Sequence, residues 1–228
     1  MLVVLALVGV LLGGTSFGVG LGLGGATAWA AWVWWGGPAV ARKALGGRLA
    51  SNVGEARLHN VVDGLCTAAG VPKPALVVVE DPAPNALVYG REPRHAVLLV
   101  TSGLLERVNR VELEGVVARE LAAIKNHDTR PTTLAVAVLA VVGPLQPLAD
   151  RVRRMATAVP AATADANGVA ITRYPPALAA AYEKVRADGP AVRAGSGATA
   201  HLWFVPPADT TVDLHPPLGE RIEALREL

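Results

Sequence analysis

Charge is missing from the start of this chain: residues Met1 to Pro38 carry no Asp, Glu, Lys or Arg. A signal peptide would want a basic start and a small-residue cleavage site, and more than thirty uncharged residues exceed that plan. Cysteine is nearly absent as well. The single Cys66 excludes an internal disulfide and suits a reducing compartment. It shares an apolar helical face with Leu58, Val62 and Leu65, which marks it as core packing rather than chemistry. Aromatic residues make up 4% of the chain, and no Lys/Arg stripe interleaves with them. Nucleic acid is therefore not an expected partner. Net charge is only +2, with basic residues mostly alternating with acidic ones, and there is no internal repeat.

What is present is apolar surface, 52% of residues against 18% charged, more apolar than an average soluble protein. One membrane span takes about 20 apolar residues, so 1–38 is long enough for one long tilted helix or two short ones turning at Gly13-Gly14-Thr15-Ser16. Trp32, Trp34 and Trp35 close the segment where aromatic belts mark a membrane interface, and Arg42, Lys43 and Arg48 follow. By the positive-inside rule the folded domain then faces the cytoplasm. The expected organisation is a transmembrane segment at 1–38, a Gly-rich linker at 39–54 and a folded domain at 55–228. Pro131 to Leu148 is uncharged and is a further candidate membrane segment.

Within the domain, Glu55 to Gly70 has helical spacing with Gly70 as its stop. Ala75–Val79, Asn85–Tyr89 and Ala96–Thr101 read as short strands. Asn109 and Glu112 form a capping box ahead of a helix from Val111 to about Lys125. Helices are also expected at Ala177–Arg186 and, as a short terminal helix with Pro near its start, at Pro217–Leu228. The fold class is α+β, mainly helical, with a small β-sheet.

The helix after the capping box carries the chemistry. Zinc peptidases use His-Glu-x-x-His, with two imidazoles on one helical face and the Glu activating a metal-bound water. Here the run is Arg119-Glu120-Leu121-Ala122-Ala123. Arg119 and Ala123 stand at the two ligand positions, and only Glu120, the general base of the pattern, remains.

Several separated motifs together resemble the membrane zinc metallopeptidases of the HtpX and CAAX-prenyl-endopeptidase type. They are Pro84-Asn85-Ala86-Leu87-Val88-Tyr89-Gly90, Thr101 to Leu105 with Val111 to Val116, Ala118 to Thr129, Ala164-Asp165 with Ala177 to Ala181, and His215-Pro216-Pro217 with Glu220-Arg221-Ile222. They run in the family's order from about His59 to Leu225. The resemblance implies a gluzincin-type domain with N-terminal transmembrane helices at the cell membrane, zinc as cofactor and peptide hydrolysis as activity. It also implies a third ligand in the pattern Glu-x-x-Ala-Asp, which falls here on Ala161.

All three ligand positions thus hold residues that bind no zinc. Arg carries only donors and a permanent charge, and Ala offers nothing. No metal and no cofactor are expected. Without metal, water keeps its pKa of about 15.7 and Glu120 has no nucleophile to activate. His127, one turn past Ala123, and His215 are the residues from which a new site could be rebuilt. Glu120 is expected to pair with Arg119 or His127, with the Arg119 guanidinium supplying the missing cation. Asp128 and Asp165, supports of the ligands in the family, are expected in capping or hydrogen bonding. The strand Asn85, Ala86, Leu87, Val88, Tyr89 would hold peptide by strand addition, or simply close the core. The resulting reading is a membrane-anchored, catalytically inactive peptidase homologue that binds or scaffolds in membrane-protein quality control. Its partners would be membrane lipid and either membrane-protein segments or an active paralogue. Alternatives are an active membrane endopeptidase with an unorthodox zinc site, and a purely structural membrane protein.

Overall fold

A computed structural model describes the backbone of residues 2–157, 159–189, 192–195, 197–206 and 216–228, and side chains from residue 19 onward. The chain opens with one helix, α1 (Leu2–Leu45), followed by β1 (Arg48–Leu49), α2 (Ala56–Ala69), β2 (Ala75–Val79), β3 (Ala86–Tyr89) and β4 (Val97–Thr101). Then come α3 (Ser102–Arg107), α4 (Arg110–Lys125), α5 (Thr129–Val142), α6 (Gln146–Ala156), α7 (Ala161–Thr172), α8 (Pro175–Asp188) and α9 (Leu218–Arg226). The fold is mainly helical with one small mixed sheet, in the order β1-β2-β4-β3. β2 and β4 run parallel, while β1 and β3 lie antiparallel to their neighbours.

Strand alternation divides the protein into two layers. Leu76, Val78, Ala86, Val88, Leu98 and Val100 face a core shared with α2, α4 and α8. The intervening Val79, Leu87, Tyr89 and Leu99 face the opposite way, onto Ala41 and Leu45 of α1 and Val136 of α5. A sheet covered on both faces needs apolar residues at every position, which is why these strands lack polar alternation.

Two turns set the frame of the site. Gly70 ends α2 in the left-handed conformation, φ 70°, and its amide donates to the Cys66 carbonyl. At the start of α4, Asn109 Oδ1 accepts from the Glu112 amide at 3.0 Å and Glu112 Oε2 accepts from the Asn109 amide at 2.7 Å. This is the expected capping box, and it fixes where α4 enters the core.

Of the two arrangements open for the N-terminal region, the structure has the single long helix: α1 is continuous through Gly13–Ser16. It runs past Pro38 to Leu45, through part of the expected linker. Among the described residues no helix is long and apolar enough to cross a membrane. Gly, Ala and Trp dominate residues 19–38, so this stretch is less apolar than its lack of charge suggests. The 131–148 segment is two helices rather than one: α5 ends at Val142 and α6 begins at Gln146. α5, at 14 residues, buries Ala135, Val136, Ala137 and Leu139 within the protein. Gly37 lets it approach α1 closely, since a Cβ there would lie 3.0 Å from the Thr133 carbonyl oxygen.

Candidate functional site: a buried charge cluster at the degenerate zinc motif

α4 and α7 cross with their backbones in close contact. A Cβ on Gly168 of α7 would fall 2.7 Å from Arg119 Cα, so glycine is what permits the crossing. It brings Arg119 and Glu120 against Asp165, and all three are buried. Arg119 Nη1 donates to Glu120 Oε1 at 2.6 Å, and its Nε donates to Asp165 Oδ1 at 2.9 Å. Asp165 is held from its other side by Arg221 of α9, through Nε at 2.8 Å and Nη2 at 2.7 Å. Tyr182 of α8 donates its hydroxyl hydrogen to Asp165 Oδ1 at 2.6 Å, and Arg221 Nη2 donates in turn to that hydroxyl.

Aromatic rings knit the two cations together. The Arg221 guanidinium lies 4.3 Å from the Tyr182 ring centroid, Tyr182 stacks on Phe204 at 4.5 Å and 8°, and Arg119 lies 5.1 Å from Phe204. With Glu120 and Asp165 ionised, two arginines and two carboxylates sum to zero. That neutrality is what allows four charged groups to sit out of water.

Their electrostatics follow from burial and neighbours. Burial raises the pKa of Asp165, but hydrogen bonds from Arg221 and the Arg119 charge outweigh it and leave the carboxyl below its ordinary value. Glu120 goes the other way: burial pushes it up against the pull of Arg119. Burial also raises the Tyr182 phenol, which therefore remains a neutral donor. Burial works against the Arg119 charge, yet its acidic neighbours more than offset this and its pKa is raised.

Beside the cluster is a cleft of about 120 Å³, lined in part by Arg119, Glu120, Ala123, Asp128, Thr132, His201 and Trp203. His201 is buried there. Its Nε2 lies 2.8 Å from the Thr132 carbonyl oxygen, to which it donates, and its Nδ1 has no partner among the described residues. Burial lowers its pKa to about 4, so the ring is neutral near pH 7.

Residues 52–228 match Peptidase family M48. The chain belongs to that family. Among its relatives, a protein named "Protease HtpX homolog" from Dictyoglomus turgidum is 35% identical over 210 residues, covering 74% of this chain and 68% of that protein. Its namesake in Tropheryma whipplei is 34% identical over 221 residues, covering 80% and 76%. One from Listeria monocytogenes is 30% identical over 222 residues, covering 75% and 73%.

The M48 assignment implies zinc, and the donor set does not fit it. Arg119 stands where a first imidazole would, with its guanidinium committed to Glu120 and Asp165. Ala123 lines the cleft without a donor, and Ala161 is buried in the first turn of α7, one turn before Asp165. No cluster of three His, Cys, Asp or Glu suited to a metal occurs among the described residues.

Other expected site residues fall as follows. His127 is exposed beyond the end of α4, in a left-handed conformation (φ 62°), and does not line the cleft. The helix stops at Lys125, so the helical spacing that would have placed His127 above Arg119 no longer applies. His215 lies outside the described residues. Asp128 is half-buried at the cleft and immediately precedes α5 as its N-cap residue, with no side-chain capping bond. Burial raises its carboxyl pKa. β3 is an edge strand, but its free edge is taken by the chain itself. Leu87 bridges Trp203, the Phe204 amide donates to the Ala86 carbonyl at 2.7 Å, and Asn85 bonds both the amide and the carbonyl of Val205. Strand addition by a peptide would have to displace 203–205 first.

Sequence reasoning did not place Tyr182, Phe204 or His201 in the site, and quoted Arg221 without a role. One signal was available for Arg221. Two buried carboxylates need two cations, and Arg119 is only one.

Proposed function

We propose that this chain is a membrane-held, metal-free M48 homologue on a gluzincin-type domain, which binds protein segments in membrane-protein quality control rather than hydrolysing them. The observation that carries this reading is the Arg119 guanidinium, ion-paired to Glu120 at 2.6 Å and to Asp165 at 2.9 Å. A fixed cation at a ligand position repels Zn²⁺ and engages the carboxylate that would otherwise activate water. The uncharged N-terminal run and the Trp and Arg/Lys residues that follow it support anchoring at the cell membrane with the domain in the cytoplasm. Partners of the expected kinds are membrane-protein segments or an active paralogue.

With the β3 edge covered, the cleft beside Glu120 is the better candidate for such contacts. Its volume of about 120 Å³ compares with the roughly 150 Å³ of a cavity that accepts benzene. It would take one aromatic or branched side chain.

The test is zinc content by elemental analysis of detergent-purified protein, with casein hydrolysis alongside. Metal-free, inactive wild type is the expected result. The triple reversion Arg119→His, Ala123→His, Ala161→Glu is expected to take up zinc. Stoichiometric zinc in wild type, with proteolysis abolished by Glu120→Gln, would overturn the reading in favour of an active peptidase with an unorthodox site.

A further inference from the structure

At the C-terminal end of α1, exposed tryptophans and unpaired basic residues gather in one place. Trp32, Trp34 and Trp35 are 42%, 36% and 67% exposed. The guanidinium carbons of Arg91 and Arg130 lie 5.6 and 5.7 Å from the Trp34 ring centroid, and Arg130 Nε donates to the Arg91 carbonyl at 3.2 Å. Next to them is a cavity of about 330 Å³ lined by Trp35, Arg42, Tyr89, Arg91 and His95. Lys43 follows Arg42 on α1, and Arg94 precedes His95 in the turn between β3 and β4.

Elsewhere on the surface many basic residues are matched, and those without a carboxylate partner among the described residues, such as Lys125, Arg151, Arg154 and Arg173, do not surround an aromatic-walled cavity. Arg48 pairs with Glu55 and Glu80, Lys73 with Asp63, Arg110 with Glu114, and Arg226 with Glu183. At this end Arg42, Lys43, Arg91, Arg94 and Arg130 have no carboxylate partner among the described residues. The local acid is Glu92, 3.4 Å from His95. Five basic side chains against one carboxylate leave an excess of positive charge around a cavity with an aromatic wall.

We propose that this cavity binds the headgroup of an anionic phospholipid. Its phosphodiester would be gripped by Arg42 and Arg91, whose planar forks suit phosphate oxygens. The exposed indoles would lie at the depth of the glycerol backbone, where Trp is favoured. Arg130 acts as a positioning residue: it rests on Trp34 and holds the Arg91 backbone. The inference depends on α1 being in the membrane, but not on the loss of zinc.

The test uses the full chain in neutral detergent, titrated with dioctanoyl phosphatidylglycerol, dioctanoyl phosphatidylcholine or glycerol phosphate. Tryptophan fluorescence and melting temperature are the readouts. Saturable binding of the phosphatidylglycerol, at least tenfold tighter than either of the others, is expected. Arg42→Gln/Arg91→Gln should weaken it about 30-fold, each basic residue near an anionic surface contributing roughly fivefold. Lys43→Gln, beside the cavity, should weaken it less, and Arg110→Gln, remote and already paired, not at all. Equal binding of both lipids, or an unaffected double variant that melts like wild type, would overturn the proposal. Glycerol phosphate binding as tightly as the lipid would also overturn it and point to a soluble phosphoester. Carbonate extraction from cell membranes is read separately, so that failure of α1 to anchor is not mistaken for loss of headgroup selectivity.

Discussion

Arg119 puts a fixed cation among buried acids: it neutralises Glu120 and it bridges to Asp165. Removing it should therefore be costly. Arg119→Ala leaves Glu120 buried without its cation, at about 3–5 kcal/mol for a broken buried pair. For a chain of this size that is a fall in melting temperature on the order of 10 °C. Arg119→Ala/Glu120→Gln should recover part of the loss, because no buried charge is then stranded. Ala123→His, at the half-buried cleft wall, should cost far less than Arg119→Ala. If Arg119→Ala melts within a degree of wild type, the replacement of metal by guanidinium is wrong.

His201 makes a second prediction at this scale. Its pKa falls from 6.5 unfolded to about 4 folded, because burial disfavours the charged ring. Between those values the unfolded chain binds a proton that the folded chain does not, so stability is lost as pH falls from about 6.5 towards 4. The full effect is about 3 kcal/mol. Glu120, raised by burial, works with the opposite sign on acidification, so the useful quantity is a difference between proteins. Urea unfolding at pH 7.5 and 5 should show a smaller pH dependence in His201→Gln than in wild type. Equal slopes would mean that His201 is accessible to protons in the folded state.

Among elements, the α4–α7 crossing and the β3 edge are the two contacts on which the site depends. Gly168→Ala puts a methyl 2.7 Å from Arg119 Cα, a backbone atom that cannot turn aside. Overpacking of this kind costs about 1–3 kcal/mol, and it should move Asp165 away from Arg119. At the edge, Asn85 binds the Val205 carbonyl at 2.7 Å and accepts from the Val205 amide at 3.2 Å. Asn85→Ala should release 203–205 from β3, seen as faster amide hydrogen exchange there with exchange in α4 unchanged. Unaltered exchange at 203–205 would show that the Leu87–Trp203 and Ala86–Phe204 pairings suffice alone. The elements themselves were legible in the sequence wherever the signal was local: the capping box of Asn109 and Glu112, the Gly70 stop and the three short strands. What was not legible was long-range. Nothing in residues 85–89 announces that a segment more than a hundred residues later covers their edge. Nothing around His127 announced that α4 would end at Lys125.

For the whole molecule, the question is what holds the domain together if no metal does. That Arg119, Ala123 and Ala161 cannot ligate zinc follows from the residue types alone, whatever the fold. The network around Arg119 was not readable, since Asp165, Tyr182, Phe204 and Arg221 come from four separate segments that only tertiary packing unites. A metal that binds only the folded state stabilises by mass action, about 4.1 kcal/mol when present at a thousand times its dissociation constant. A zinc-dependent domain should accordingly lose stability when stripped by a chelator. Here the cations are Arg119 and Arg221, covalent parts of the chain, so excess EDTA should leave the melting temperature unchanged. High salt should also have little effect on the buried pairs, because screening acts mainly on exposed charges. Melting the detergent-purified protein with and without EDTA checks this directly, and the Arg119→His, Ala123→His, Ala161→Glu variant serves as the internal contrast. That variant should melt lower in EDTA than in zinc, whereas a chelator-sensitive wild type would mean that the domain is held by a metal after all.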